Sequence, residues 1–322
     1  MRVYDSNGNL INTDILGEVL DISGLKYKRD ITINNISNSN SLTNYQVLIT
    51  VDTATPISAG KMRSDCGDIR FYDGITPLNY WIEGGINTTS TQIWVKIPSI
   101  PASSTKVIQM YYGNPNLGSI SSGDNTFLFF DDFSGAALDW TNKWQSTDHT
   151  LYTVSSGVLT LNYLTNTTKL LQTKNSFANF EARFAARETT RQLYADFPTT
   201  LGDWNSIDCF VFGDTTSTNL GYYINHINQG DVTISTATWY YNRVIILGTS
   251  VHFTTYTDSA WSNVLFDKSE TSSLSGARYP SFFAFISTAS GCQLDFIYIR
   301  NYSNPDPAIS VGTEYTIPIR IR

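Results

Sequence analysis

The sequence predicts an all-β protein built as two antiparallel β-sandwich domains. Runs in which apolar and polar residues alternate recur along the chain, and a period of two marks a strand with one buried face. The runs are short and closely spaced, each bounded by Gly, Pro, Asn or Ser, which is the pattern of sandwiches and barrels. Charged residues make up only 15% of the chain, well below the usual quarter. Asn, Thr, Ser and Tyr fill the gap. Tyr and Thr suit pleated surfaces, whereas Asn and Ser favour turns over helix. At roughly 150 residues per domain, the 322 residues make about two domains, each able to bury its own core.

The chain opens with Val3-Tyr4-Asp5-Ser6-Asn7-Gly8-Asn9-Leu10-Ile11, where Asn7-Gly8 is a hairpin signal, so residues 1–25 read as a small β arm. From Tyr27 the alternation is regular. Tyr27, Arg29, Ile31 and Ile33 share one face, and Tyr45, Val47, Ile49 and Val51 share another, with a polar loop at 34–41 between them. Further strands are predicted at 68–72, 79–82, 92–97 and 106–112, which completes a first domain at 26–116. The run 114–123, with Asn114, Pro115, Gly118 and Gly123, reads as a linker. A second domain, 117–314, carries strand runs at 158–161, 206–213, 221–227, 243–247, 251–256, 281–287 and 292–300. The segment Phe180-Glu181-Ala182-Arg183-Phe184-Ala185-Ala186-Arg187 has a helix-forming composition, yet Phe180, Ala182, Phe184 and Ala186 line one face of a strand. It is assigned to β because every neighbour reads as β. Residues 315–322 alternate too, and Pro318 confines them to an edge or to a strand that pairs with another chain.

Composition also excludes functions. The net charge of −7 and the pI of about 4.9 argue against a phosphate-binding surface, so nucleic acid is not an expected partner. No stretch approaches the ~20 apolar residues of a membrane-spanning helix, and residues 1–8 carry no apolar signal-peptide core. The three cysteines, Cys66, Cys209 and Cys292, make neither a disulfide scaffold nor a CxxC metal site. Cys209 and Cys292 fall on predicted strands of the second domain. They read either as a disulfide across neighbouring strands or as two buried thiols.

Two resemblances enter here. Residues 27–115 resemble an uncharacterised extracellular β module of archaeal and bacterial surface proteins. The resemblance is carried by Lys61-Met62-Arg63-Ser64-Asp65-Cys66-Gly67-Asp68-Ile69-Arg70-Phe71, Tyr80-Trp81-Ile82-Glu83, Ile93-Trp94-Val95-Lys96-Ile97-Pro98 and Tyr111-Tyr112-Gly113-Asn114-Pro115. That family often has a second cysteine after the Trp-Ile-Glu stretch; here Ile86 stands there, which leaves Cys66 without the partner the resemblance would imply. Residues 127–313 resemble a concanavalin-like jelly roll, the fold of lectins, laminin-type domains and laminarinase-like hydrolases. The matching pieces are Phe130-Asp131-Asp132-Phe133-Ser134-Gly135, Leu138-Asp139-Trp140, Lys143-Trp144 and Leu294-Asp295-Phe296-Ile297-Tyr298-Ile299-Arg300. These are framework features and say little about any one function.

The hydrolases of that fold carry a Glu-x-Asp-x-x-Glu strand, and none exists here. Glycoside cleavage needs two carboxyls about 5–9.5 Å apart. Glu181 and Glu188 are seven positions apart with arginines between them, and Asp203 and Asp208 face opposite ways. There is no Gly-x-Ser-x-Gly elbow, and His149, His226 and His252 have no local partner motif. No cofactor is expected. The jelly-roll resemblance implies one inorganic ligand, a structural calcium held by Asp295 with Asp131 or Asp132. Without the resemblance the same residues are turn caps and a solvent-facing acid.

Aromatic rings give the strongest ligand-facing signal, because the flat faces of sugars stack on them. Trp204, Tyr222, Tyr223, Trp239, Tyr240, Tyr241 and Trp261 are the candidates. In each consecutive pair on a strand one ring faces the core, so about half of them are core. Glycosylation sequons stand at Asn35, Asn87, Asn166 and Asn301. The expected function is that of a non-catalytic attachment protein. Its expected partners are a cell-surface glycan or glycoprotein and other structural subunits, and its expected place is a virion surface or the cell exterior. A start at Met1 without a leader favours a virion component, of an archaeal virus given the company the first module keeps. The alternatives are a secreted archaeal or bacterial adhesin or filament subunit, and a degenerate glycoside hydrolase.

Overall fold

The computed structural model describes residues 3–4, 10–12, 22, 24–162, 170–188, 193–200, 208–212, 219–284 and 292–317. It is a β protein, with strands throughout and only short helices at Ala54–Ser58 and Gly123–Thr126 and a 3-10 turn at His149–Leu151. Among the described residues no helix is long and apolar enough to cross a membrane. The chain divides into two units: Met1–Thr43, Val47–Ser122 and Pro307–Arg322 in the first, Asn44–Gln46 and Gly123–Asp306 in the second.

The first unit holds a five-stranded antiparallel sheet in the order Ala308–Thr316, Tyr27–Asn34, Thr105–Tyr112, Arg70–Asp73, Thr76–Leu78. A three-stranded sheet contains Leu42–Val51, Thr91–Ile100 and Tyr80–Gly84. The alternation read in the sequence is the alternation of burial. Ile31 and Ile33 are fully buried, as are Ile108, Met110 and Tyr112 on the strand beside them. The expected domain end at 314 cuts through the strand Ala308–Thr316, which pairs with Tyr27–Asn34 and belongs to the first unit. Before residue 27, Val3–Tyr4 pairs with Leu10–Asn12 as a two-stranded piece.

The second unit contains two larger sheets. An eight-stranded one runs Tyr152–Ser155, Val158–Leu161, Cys292–Asn301, Phe180–Arg187, Tyr240–Leu247, Ser250–Tyr256, Val264–Thr271, with Phe129–Asp131 also paired to Cys292–Asn301. A seven-stranded one runs Trp144–Gln145, Leu171–Thr173, Ser281–Ala284, Leu193–Asp196, Asp208–Phe212, Asn219–Ile224, Ile227–Thr233. One apolar cluster draws on both sheets: Phe180, Ala182, Phe184 and Ala186 from the first, Leu171, Phe210, Tyr222 and Phe282 from the second, with Trp144 at 0% exposure among them. Phe180–Arg187 is therefore a strand, with its alternate residues in the core as the period of two requires. Fully burying each of these large side chains contributes about 1.5–3 kcal/mol.

Cys209 and Cys292 are buried thiols. They do not pair with each other, because Cys292 points into the core from the eight-stranded sheet while Cys209 points away from it on the seven-stranded one. Cys292 joins the core, while Cys209 alternates with the core residue Phe210 and faces away from it. Burial pushes both thiols up, with Asp196 and Asp208 adding to it at Cys209 and Glu188 at Cys292.

Candidate functional site

The outer face of the eight-stranded sheet follows from the register of Phe180–Arg187. Glu181 lies opposite Ile245 on one side and Arg300 on the other; Arg183 opposite Arg243 and Tyr298; Ala185 opposite Tyr241 and Phe296. These are the residues that alternate with the core set. Arg183 Nε donates to Glu181 Oε1 at 2.6 Å, while Arg243 Nη2 and Arg300 Nη2 donate to Oε2 at 2.8 and 2.9 Å. Glu181 has no solvent exposure. Burial alone raises a carboxyl, but the guanidiniums of Arg300, Arg183 and Arg243 outweigh it and hold Glu181 well below the usual carboxylate range. Arg300 has a second counter-ion in Asp306, 2.6 Å away.

Beside this ionic cluster sits an aromatic one. Trp261 stands edge-on to Tyr241, Tyr256 and Phe296 at centroid distances of 5.8, 5.5 and 6.3 Å. The Arg183 guanidinium lies 4.7 Å from its ring centre, a cation–π distance. Ala185, fully buried, is the cross-strand neighbour of both Tyr241 and Phe296. Two backbone devices place these rings. Trp261 has φ +58°, a left-handed conformation that costs a bulky residue on the order of 1–3 kcal/mol. Asp258 offsets that cost by accepting Ser262 N at 2.9 Å, the Ser262 hydroxyl at 2.7 Å and Asn263 N at 2.9 Å. A bulge then turns Phe296 outward. The register slips between Ala185 and Ala186, and because Leu294 and Ile297 both reach the core, Asp295 and Phe296 between them face away from it. Tyr241, Trp261 and Phe296 are each only partly buried.

The structure separates the aromatic candidates. Tyr241 and Trp261 meet in this patch. Tyr222 and Tyr240 are core, at 0% and 6% exposure, which removes them as glycan contacts. Tyr222 spends its hydroxyl on Thr255 Oγ1 at 2.7 Å, and Tyr240 accepts Ser235 N at 2.8 Å. Trp239 packs on Arg187, 4.6 Å from the guanidinium, and Tyr223 is half-buried on the seven-stranded sheet. Trp204 lies outside the described residues, as do the sequon at Asn166 and the residue Asp203.

The calcium donors do not assemble. Asp131 Oδ2 takes the Trp144 indole N–H at 2.7 Å and its Oδ1 takes Phe133 N at 2.9 Å, while Asp132 Oδ1 caps Ser134 N at 3.1 Å. These are turn-capping roles. Asp295 sits in the bulge, where burial raises its carboxyl and the Arg187 charge lowers it. Among the described residues no three His, Cys, Asp or Glu side chains gather in a way that fits a metal ion. Asn35 is 1% exposed and its amide donates to Asn40 O and Pro101 O, so the folded protein does not offer it as a glycan acceptor. Asn87 is exposed at φ +63°, and the Asn301 amide donates to Asn44 O at 3.0 Å.

The other sheet's outer face carries a register row of Gln145, Gln172, Ser281, Asp196, Cys209, Tyr223 and Asn228. Gln172, Ser281, Asp196 and Cys209 are at most 2% exposed, so the middle of the row is closed to a ligand. Its one acid, Asp196, has no second carboxylate in the row. Asp208 is turned to Arg278, which donates to it at 2.8 Å with neither side chain exposed.

Residues 65–147 match the model of a family described as Domain of unknown function (DUF2341). That span includes the Cys66–Phe71, Trp-Ile-Glu, Ile93–Pro98 and Tyr111–Pro115 pieces of the first module. No curated protein matches the chain. Among solved structures, a GH43 protein, BlXynB from Bacillus licheniformis, is 12% identical with a TM-score of 0.43, over 70% of this chain and 46% of that one. A prokaryotic β-1,3-1,4-glucanase (lichenase) from a mouse hindgut metagenome is 11% identical, TM-score 0.37, over 54% of this chain and 98% of that one. LamAcat from Zobellia galactanivorans is 12% identical, TM-score 0.38, over 56% and 100%. Likenesses of this size carry no argument about activity.

Proposed function

We propose that this chain is a non-catalytic attachment protein that holds carbohydrate against the aromatic patch of its second unit. The observation that carries the reading is Trp261, held in a left-handed turn and only partly buried, beside Tyr241 and Phe296. Sugar rings present flat C–H faces that pack on such surfaces, and their hydroxyls suit the guanidiniums around it.

Holding without cutting is supported by the state of the acids. Hydrolysis requires a carboxyl that can give up a proton and a second one within about 10 Å. Glu181 is ionised, has no exposure and is engaged by three arginines. We place the molecule at the surface of a virion or a cell, with its own subunits or the host surface as partners; immunogold labelling of purified particles and of cells distinguishes the two. The binding reading is tested by titrating oligosaccharides into the wild type and Trp261→Ala by calorimetry, with chromatography of the recovered sugar. Loss of one central aromatic contact costs about 2 kcal/mol or more, roughly thirtyfold in Kd. Binding that survives Trp261→Ala, or recovered sugar that is shortened, contradicts the reading.

A further inference from the structure

We infer that the patch is one end of a longer site whose ligand is an unbranched oligosaccharide lying along Phe180–Arg187, with one sugar on Trp261 and a later one on Trp239. The inference rests on the binding reading above and adds to it the form of the ligand and a second contact.

The sheet repeats one device twice. Arg183 and Arg187 are four positions apart on Phe180–Arg187, so both project from the outer face, roughly 13 Å apart at ~3.3 Å per residue. Each carries a tryptophan. The Arg183 guanidinium lies 4.7 Å from the centre of the Trp261 ring, and the Arg187 guanidinium 4.6 Å from the centre of the Trp239 ring. The two indoles reach these positions independently: Trp261 from the left-handed turn after Ser250–Tyr256, Trp239 as the residue immediately before Tyr240–Leu247. The register accounts for the second. Ala186 lies opposite Tyr240 in a pairing without a slip, which brings Trp239 level with Arg187, and because Tyr240 is core its neighbour Trp239 faces outward.

What lies between the indoles joins them. Ala185 stands midway between Arg183 and Arg187 on the same face, flanked across the strands by Tyr241 and Phe296. Trp239, like Trp261, Tyr241 and Phe296, is only partly buried. A guanidinium stacked on one face of an indole leaves the opposite face for a ligand. Beside Trp239 the row becomes polar: Arg187 Nε donates to Gln293 Oε1 at 2.6 Å, and Gln293 Nε2 donates to Thr160 Oγ1 at 3.2 Å. Amide and hydroxyl groups of this kind both give and accept hydrogen bonds, as sugar hydroxyls require. A single sugar covers only one of the two indoles. A pyranose with its linking oxygen advances a chain by roughly 5 Å, because it spans a few bonds of ~1.5 Å, so touching both takes about three or four sugars in line.

The test is affinity against chain length, measured by calorimetry on the full chain. The probes are the mono- to hexasaccharides of β-1,4-glucose, β-1,3-glucose, β-1,4-xylose and β-1,4-mannose. Two contacts made by one chain act as an intramolecular pair, so in any series that binds Kd should fall about tenfold or more from the disaccharide to the pentasaccharide and then level off. Trp239→Ala should return the pentasaccharide toward the Kd of the disaccharide, and Trp239→Phe should keep most of the gain, with near-ultraviolet circular dichroism showing that both variants fold. Binding confined to branched glycans, a Kd independent of length in a series that binds, or a length gain untouched by Trp239→Ala overturns this inference and leaves carbohydrate binding standing. No binding by any series or by a broad glycan array overturns both. The length series measured on the wild type decides the matter even where Trp239→Ala fails to fold.

Discussion

At the scale of single residues, the outcome turns on which atoms are already committed. In the sequence, Glu181 is set aside as a catalytic acid by its spacing from Glu188 and the arginines between them; in the structure three arginines engage its carboxyl and hold it ionised. Removing one partner of such a buried cluster strands the others, at a cost of about 3–5 kcal/mol. Glu181→Gln should therefore lose that much stability at neutral pH in urea unfolding. The folded carboxyl lies below its unfolded value of about 4.3, so its contribution is complete above that value and is lost as pH falls through the folded one. The gap between wild type and variant should narrow below about pH 4; a gap that is small at pH 7, or that widens in acid, contradicts the assignment. The aromatic pairs were half legible in the sequence. Alternation requires one inward and one outward ring in Tyr222-Tyr223 and in Tyr240-Tyr241, but which ring goes in depends on the neighbouring strands, and the structure sends Tyr222 and Tyr240 to the core.

At the scale of elements, strands with a clean period of two were readable and departures from it were not. Phe180–Arg187 carried its facing in its own sequence, and with it the outward placement of Arg183; only the significance of that arginine was missed. The bulge at Asp295 and Phe296 shifts the alternation by one residue, so a strict reading of 292–300 assigns the wrong face to part of that strand. The helix Ala54–Ser58 has no counterpart in the sequence reading; its Pro56 sits in the first turn, where a proline is tolerated because its missing N–H has no partner to lose. The C-terminal strand shows the same limit over a longer range. Nothing local to Ala308–Thr316 says that it pairs with Tyr27–Asn34, or that Glu314 accepts the Tyr112 hydroxyl at 2.7 Å and pairs with Lys61. A chain ending at Asp306 gives up that strand. Its first unit should melt at least about 5 °C lower in calorimetry, since each 1 kcal/mol is worth roughly 4–8 °C in a domain of this size. An unchanged transition for the first unit contradicts a structural role for the strand.

At the scale of the whole molecule, composition and spacing were enough for the β class, because it follows from average burial and turn frequency. The exact division was not legible, since Pro307–Arg322 rejoins the first unit after the 184 residues of Gly123–Asp306. The candidate site belongs to the same category. Its rings come from strands and turns distant in the chain, Tyr241, Tyr256, Trp261 and Phe296, and only the sheet order brings them together. The central claim is that an exterior sheet face, and no cleft with opposed acids, meets the ligand. Hydrogen–deuterium exchange with a bound oligosaccharide measures this most directly. The account predicts slowed exchange at 240–245, 254–263 and 294–298 with the sugar recovered at full length. Protection centred on 194–196, 208–211 and 281–283, together with cleaved sugar, would contradict it.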